Sequence, residues 1–169
     1  WEAEHLETLL SLARAGDHPA VHSAMQMFHS DGRPYCEGRV PWSRDATEAR
    51  AIYDALTSLG VAQPGTSIFL DRADPPGTPG GAQSVDTGEW LIAKSVLERI
   101  PFRTTFSRAD AEGLIGEDDK LMMDILQAGH RPQSTGRATL KYFVGGYSNN
   151  FEHRFDASFS WETQHANHE

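Results

Sequence analysis

From residue 151 onward the odd positions read Phe151, His153, Phe155, Ala157, Phe159 and Trp161, while the even ones read Glu152, Arg154, Asp156, Ser158, Ser160 and Glu162. Only a strand sorts side chains by parity, so this stretch predicts a long strand with one packed and one wetted face. Ala138 to Val144 is a second strand-like run, and Gly145 to Asn150 between them is rich in residues that tolerate left-handed dihedrals. The two runs therefore read as a β-hairpin. A hairpin alone is marginal in water, so the preceding chain must supply the surface that covers its apolar face.

Upstream the spacing is helical. Leu6, Leu9, Leu10 and Ala13 form a stripe that predicts a helix over 2–15, with Gly16 as its left-handed stop. Asp17 as N-cap, Pro19 in the first turn, and Val21, Ala24, Met25 and Phe28 at helical spacing predict a second helix that ends near Asp31-Gly32. Asp45 with Glu48 makes a capping box for a third helix, which runs through Leu59 and closes at Gly60. Ser67 to Leu70 predicts a short strand, and the Pro and Gly residues of 73–83 predict a surface loop. Asp86 and Glu89 make another capping box, opening a helix that turns Leu91, Ile92, Val96, Leu97 and Ile100 inward before Pro101 ends it. Phe102 to Phe106 reads as a strand, Ser107 to Gly116 holds a helical turn, and Glu117 to Ala128 is a final helix with acids at its positive end. The expected fold is α+β: one domain over 1–169, with N-terminal and central helices packed on one face of a small antiparallel sheet that ends in the long C-terminal β-hairpin.

Composition narrows the partners. The 169 residues suffice for one core, and no run approaches the roughly 20 apolar residues of a membrane span. A net charge of −9 without a dense basic run disfavours nucleic acid. The single Cys36 forms no internal disulfide, and the chain opens at Trp1 without an initiator Met, as a processed product or an excerpt does.

Candidate chemistry is sparse. His18 and His22, four apart on the expected second helix, have the spacing that lets two imidazoles share one metal, although two ligands are half a site. His153 is the one polar residue on the apolar face of the C-terminal strand, which makes it a candidate ligand-binding group with Tyr142 or Glu37 as its neighbour. Cys36 stands beside Glu37, which raises rather than lowers a thiol pKa, and the Gly-rich loop at 77–81 lacks the Lys-Ser/Thr of a phosphate loop. No nucleophile, base and orienting group come together, and no cofactor motif is present.

Two family resemblances stand beside this reading. Leu9-Leu10 through Gly16 to Gly32-Arg-Pro34 resembles a pentatricopeptide helical hairpin, and Ala49 to Pro64 is similar to its second helix, which implies stacked helical repeats. Residues 106–129 resemble the loop and exiting helix of an EF-hand: Asp110, Glu112 and Gly113 match the third, fifth and sixth loop positions and Ile115 the eighth. Arg108 stands at the first position, where a carboxylate belongs, so the resemblance implies a degenerate helix-loop-helix without a calcium ion. The expected function, reached by elimination, is a non-catalytic binding or assembly subunit that meets a protein partner or a second copy of itself. The alternatives are a small enzyme or ligand-binding protein with a pocket around His153, and the EF-hand-like protein.

Overall fold

The computed structural model describes residues 1–43, 45–112 and 115–145. The elements are α1 (His5–Ala15), β1 (Ala20–Phe28), α2 (Ala46–Ser58), β2 (Ile68–Phe69), β3 (Arg72–Ala73), β4 (Gln83–Ser84), a 3₁₀ turn (Thr87–Glu89), β5 (Trp90–Ile92), α3 (Lys94–Leu97), α4 (Arg108–Glu112), α5 (Glu117–Gln127) and β6 (Gln133–Phe143). Helices packed on a mixed four-strand sheet, with β3 and β4 as a separate two-strand hairpin, make the fold α+β.

β1 is the centre of the sheet. β6 runs parallel along one of its edges from Val21–Gln133 to Phe28–Phe143, while β5 and β2 share the other edge in tandem, both antiparallel, at Ala20–His22 and Met25–Gln26. The pairing with β6 shifts between His22 and Met25, and Gly136, at φ +65°, supplies the left-handed residue in the bulged stretch.

Several expectations are corrected here. The second helix is strand β1. Seven of its nine residues are buried, so both faces are packed and no period-two alternation marks it as a strand, while Val21, Ala24, Met25 and Phe28 fall on helical spacing by coincidence. That removes the paired helices a pentatricopeptide repeat requires. The sheet is mixed rather than antiparallel, because β6 joins β1 in parallel. The outer strand of the expected hairpin, 151–161, lies outside the described residues. The helix expected after Asp86 is instead a 3₁₀ turn, strand β5 and the single turn of α3, since Trp90-Leu-Ile92 bonds to the edge of β1. Gly16 is not the left-handed stop of α1; Asp17 takes that conformation at φ +50°.

Other expectations match. Asp45 caps α2, its side chain accepting from Glu48 N at 2.8 Å, and Gly60 closes it at φ +75°. α2 buries Ala49 and Tyr53 in a core with Met25, Met27, Val61, Phe69 and Leu140. α5 turns Leu121, Met122, Ile125 and Leu126 inward against Val85, Trp90 and Val96. The EF-hand stretch is not a loop between two helices: Arg108–Glu112 is itself helical, and the Asp110 carboxylate takes Lys120 Nζ at 2.7 Å and Ser107 Oγ at 2.8 Å.

Candidate functional site

The segment from Ser67 to Ala73 continues the parity of a strand beyond β2. Ser67, Phe69, Asp71 and Ala73 are buried, and the residues between them are half-buried. Alternation thus delivers the Asp71 carboxyl to the interior, two residues from the aromatic centre of the core. There it meets Glu89, which the 3₁₀ turn carries inward; Asp71 is 1% and Glu89 0% exposed. Ser84 Oγ donates to Asp71 Oδ1 at 2.8 Å. No other protein donor among the described residues reaches Asp71 Oδ2 or either Glu89 oxygen.

Asp71 and Glu89 lie close enough to act on each other, and two ionised carboxylates have no proton to offer across that contact. Like charges confined in a dry site cannot both ionise readily, so the site favours a protonated carboxyl in the pair. Burial is the largest cause and pushes both groups up, Glu89 further raised by Asp71 and Asp86, and Asp71 partly relieved by the Ser84 hydroxyl. The third acid, Asp86, caps the turn by accepting from Gly88 N at 2.8 Å and is itself held above the usual carboxylate range by burial.

Above this pair lies an open cleft of about 790 Å³. One wall is apolar and aromatic, with Met25, Trp42, Ile52, Leu56 and Tyr142. The other is acidic, formed by Asp86 and the first turn of α5 with Glu117, Asp118 and Asp119. The consecutive residues Gln83 to Thr87 make the floor between them. Acids in a first helical turn favour the helix dipole, and Asp119 closes a cap by accepting from Gly116 N at 2.8 Å. Asp118 gains less: burial first, then the crowding of Asp119, Asp86 and Glu117, pushes it up to about 6.

The structure places the residues expected from sequence as follows. Tyr142, on β6, lines the cleft. His153 lies outside the described residues. His22 is fully buried on β1, its Nδ1 2.8 Å from Ser23 O and its ring tilted against Trp90, and burial lowers its pKa toward the neutral form. His18 precedes the strand. His18 and His22 therefore do not stand one turn apart on a helix. Among the described residues no group of three or more His, Cys, Asp or Glu is placed to hold a metal ion. The large exposed apolar residues are dispersed: Trp1 and Leu6 at the N-terminus, Phe102 and Phe106 before α4, and Phe143 at the end of β6. Among the described residues, no helix is long and apolar enough to cross a membrane.

Sequence reasoning missed Asp71 and the cleft, and read Asp86 and Glu89 only as a helix start. Extending the alternation of Ser67 to Leu70 by two residues would have found Asp71. No family model, curated protein or solved structure matches the chain.

Proposed function

We propose that this chain is a binding protein without chemistry of its own, whose cleft takes a lysine- or arginine-bearing segment of a protein partner. The observation that carries this reading is the mixed lining: Asp86, Glu117, Asp118 and Asp119 line the same cleft as Trp42 and Tyr142. A basic side chain has a cationic head for the acids and an apolar stem for the aromatic wall, and a guanidinium also stacks on ring faces. The net charge of −9 draws such a partner in from a distance. The buried acids Asp71 and Glu89 are sealed from solvent, where no substrate can touch them, which favours binding over acid–base catalysis.

Fluorescence anisotropy of labelled oligo-arginine and oligo-glutamate peptides tests this. The basic peptide should bind with an affinity that falls as salt rises, and the acidic one should not bind. Glu117→Gln with Asp118→Asn should weaken binding about tenfold, the equivalent of roughly 1.4 kcal/mol. Trp42→Ala should weaken it by a similar factor. Equal binding of both peptides, or charge variants that leave the affinity unchanged, would overturn the reading.

A further inference from the structure

The cleft floor, Gln83 to Thr87, is tied to Asp71 at both ends. At one end Ser84 Oγ donates to Asp71 Oδ1 at 2.8 Å; at the other Glu89, two residues beyond Thr87, is fully buried with both carboxyl oxygens lacking a donor among the described residues, and acts on the same aspartate. We propose that Asp71 and Glu89 form a proton-dependent clasp, which holds the cleft floor in its binding shape while the pair keeps its shared proton and releases the floor when that proton leaves. Both carboxyls are fully buried, three of their four oxygens have no protein donor among the described residues, and the segment they hold has few other ties. Val85 is its one buried apolar anchor, and the β3–β4 pairing spans only Arg72–Ser84 and Ala73–Gln83.

The charged groups on every side offer the deprotonated pair no relief. Asp86 on the turn adds a third negative charge. From β3, Arg72 is engaged by Asp74 and by the carbonyls of Leu59 and Gly80. From β1, the neutral His22 bonds Ser23 O and feels Asp74. From α5, Glu117, Asp118 and Asp119 are acids, and Lys120 is held by Asp110 and the Thr105 carbonyl. From β6, Lys141 pairs with Glu2 and Arg137 with Glu4. Among the described residues a second negative charge in this site is eased by the Ser84 hydroxyl and, least of the causes acting on Glu89, by the Asp86 backbone, and separation of the two carboxyls is the way to hydrate it.

The consequence for binding rests on the cleft reading above, and the two are separable. Ionisation of the acidic wall alone makes cation affinity rise with pH to a plateau. A floor that lets go as the pair ionises turns that plateau into a fall.

Hydrogen exchange on the full chain, read as protection of 83–89 relative to β1, tests the clasp without any ligand. Between pH ~5 and ~8.5 the wild-type ratio should drop at least about tenfold, whereas Glu89→Gln, whose amide donates where the proton lay, should hold it within about threefold. Asp71→Asn should hold it likewise and serves if Glu89→Gln does not fold. Anisotropy with the oligo-arginine peptide should then give an affinity that rises and falls with pH in the wild type, and rises to a plateau in Glu89→Gln. A constant exchange ratio in the wild type, or the same drop in both amide variants, overturns the clasp whatever the peptide does. Absence of peptide binding at every pH overturns the cleft reading and leaves the exchange result to decide the clasp.

Discussion

Asp45 and Asp86 each stand three residues before a glutamate, and each accepts a backbone N–H at 2.8 Å from the turn that follows. Their glutamates part company. Glu48 stays exposed on the first turn of the thirteen-residue α2, whereas Glu89 ends a three-residue 3₁₀ turn and is sealed inside. The difference lies in what comes next. After Glu48 the chain reads Ala49-Arg-Ala-Ile-Tyr53, good helix formers with apolar residues spaced to dock on Phe69. After Glu89 it reads Trp90-Leu-Ile92, aromatic and β-branched, and the edge of β1 at Ala20–His22 is open to accept it. A cap starts a turn; the downstream side chains and the surface available to them decide whether the turn propagates.

The largest effect should come from the α2 side of this comparison. Phe69 is buried edge-on against Tyr53 and Trp42, at ring separations of 6.1 and 6.3 Å. Phe69→Ala should cost about 3–5 kcal/mol by urea denaturation, because the void opens in the centre of the core. A cost below ~1 kcal/mol would mean that α2 is not docked through this ring.

The second effect is a pH dependence, and its sign runs opposite to that of an ordinary ion-paired acid. Burial holds Asp71 at about 7 and Glu89 well above its usual range, against roughly 4 for both in the unfolded chain. Between those values the native state binds more protons than the unfolded one, so stability is full below pH ~4 and falls as pH rises through neutrality. Glu89→Gln should flatten this slope and stabilise the protein above pH 7 by on the order of 1–3 kcal/mol, the scale of one relieved buried polar group. Glu48→Gln should change stability by less than about 0.5 kcal/mol. Urea melts of the three proteins across the pH range measure both, and a wild-type stability that climbs from pH ~5 to ~8 would remove the shared proton from the account.

How much of this was legible follows from what each element faces. α1, α2 and α5 lie on the sheet with one face wet, so their extents could be read around Leu9, Tyr53 or Ile125, although Leu6 of the expected α1 stripe is exposed and the left-handed stop is Asp17 rather than Gly16. β1 could not. Packed on both faces and built mostly from Ala, His, Ser, Met and Gln, with Val21 and Phe28 its only strong β formers, it carries no alternation, and its three partner strands make it extended. Asp71 was within reach of parity, but Glu89 was hidden by a motif that has the same form at Asp45 and Glu48. The cleft joins residues 25, 42, 52, 56, 83–87, 115–119 and 142, and no local pattern announces a surface assembled from such distant parts.

The smallest effect separates the two caps themselves. Asp45→Ala removes the acceptor for Glu48 N, and since the site is exposed and α2 is anchored by Tyr53, the loss should be about 1 kcal/mol, with Asp45→Asn recovering most of it. At Asp86 the same exchange has a second component. Asparagine keeps an oxygen for Gly88 N but removes the negative charge that acts on Asp71 and Glu89, so two changes of opposite sign meet in one side chain. Asp86→Asn should therefore be neutral to within about 0.5 kcal/mol near pH 5, where the pair keeps its proton, and become stabilising as pH rises above 7. Asp86→Ala should forfeit about 1 kcal/mol of capping at low pH and regain part of it at high pH. Melting curves of these variants at two pH values decide the matter: if Asp86→Asn and Asp45→Asn behave alike at both, Asp86 is a cap and nothing more, and the acids beneath the cleft do not act as one group.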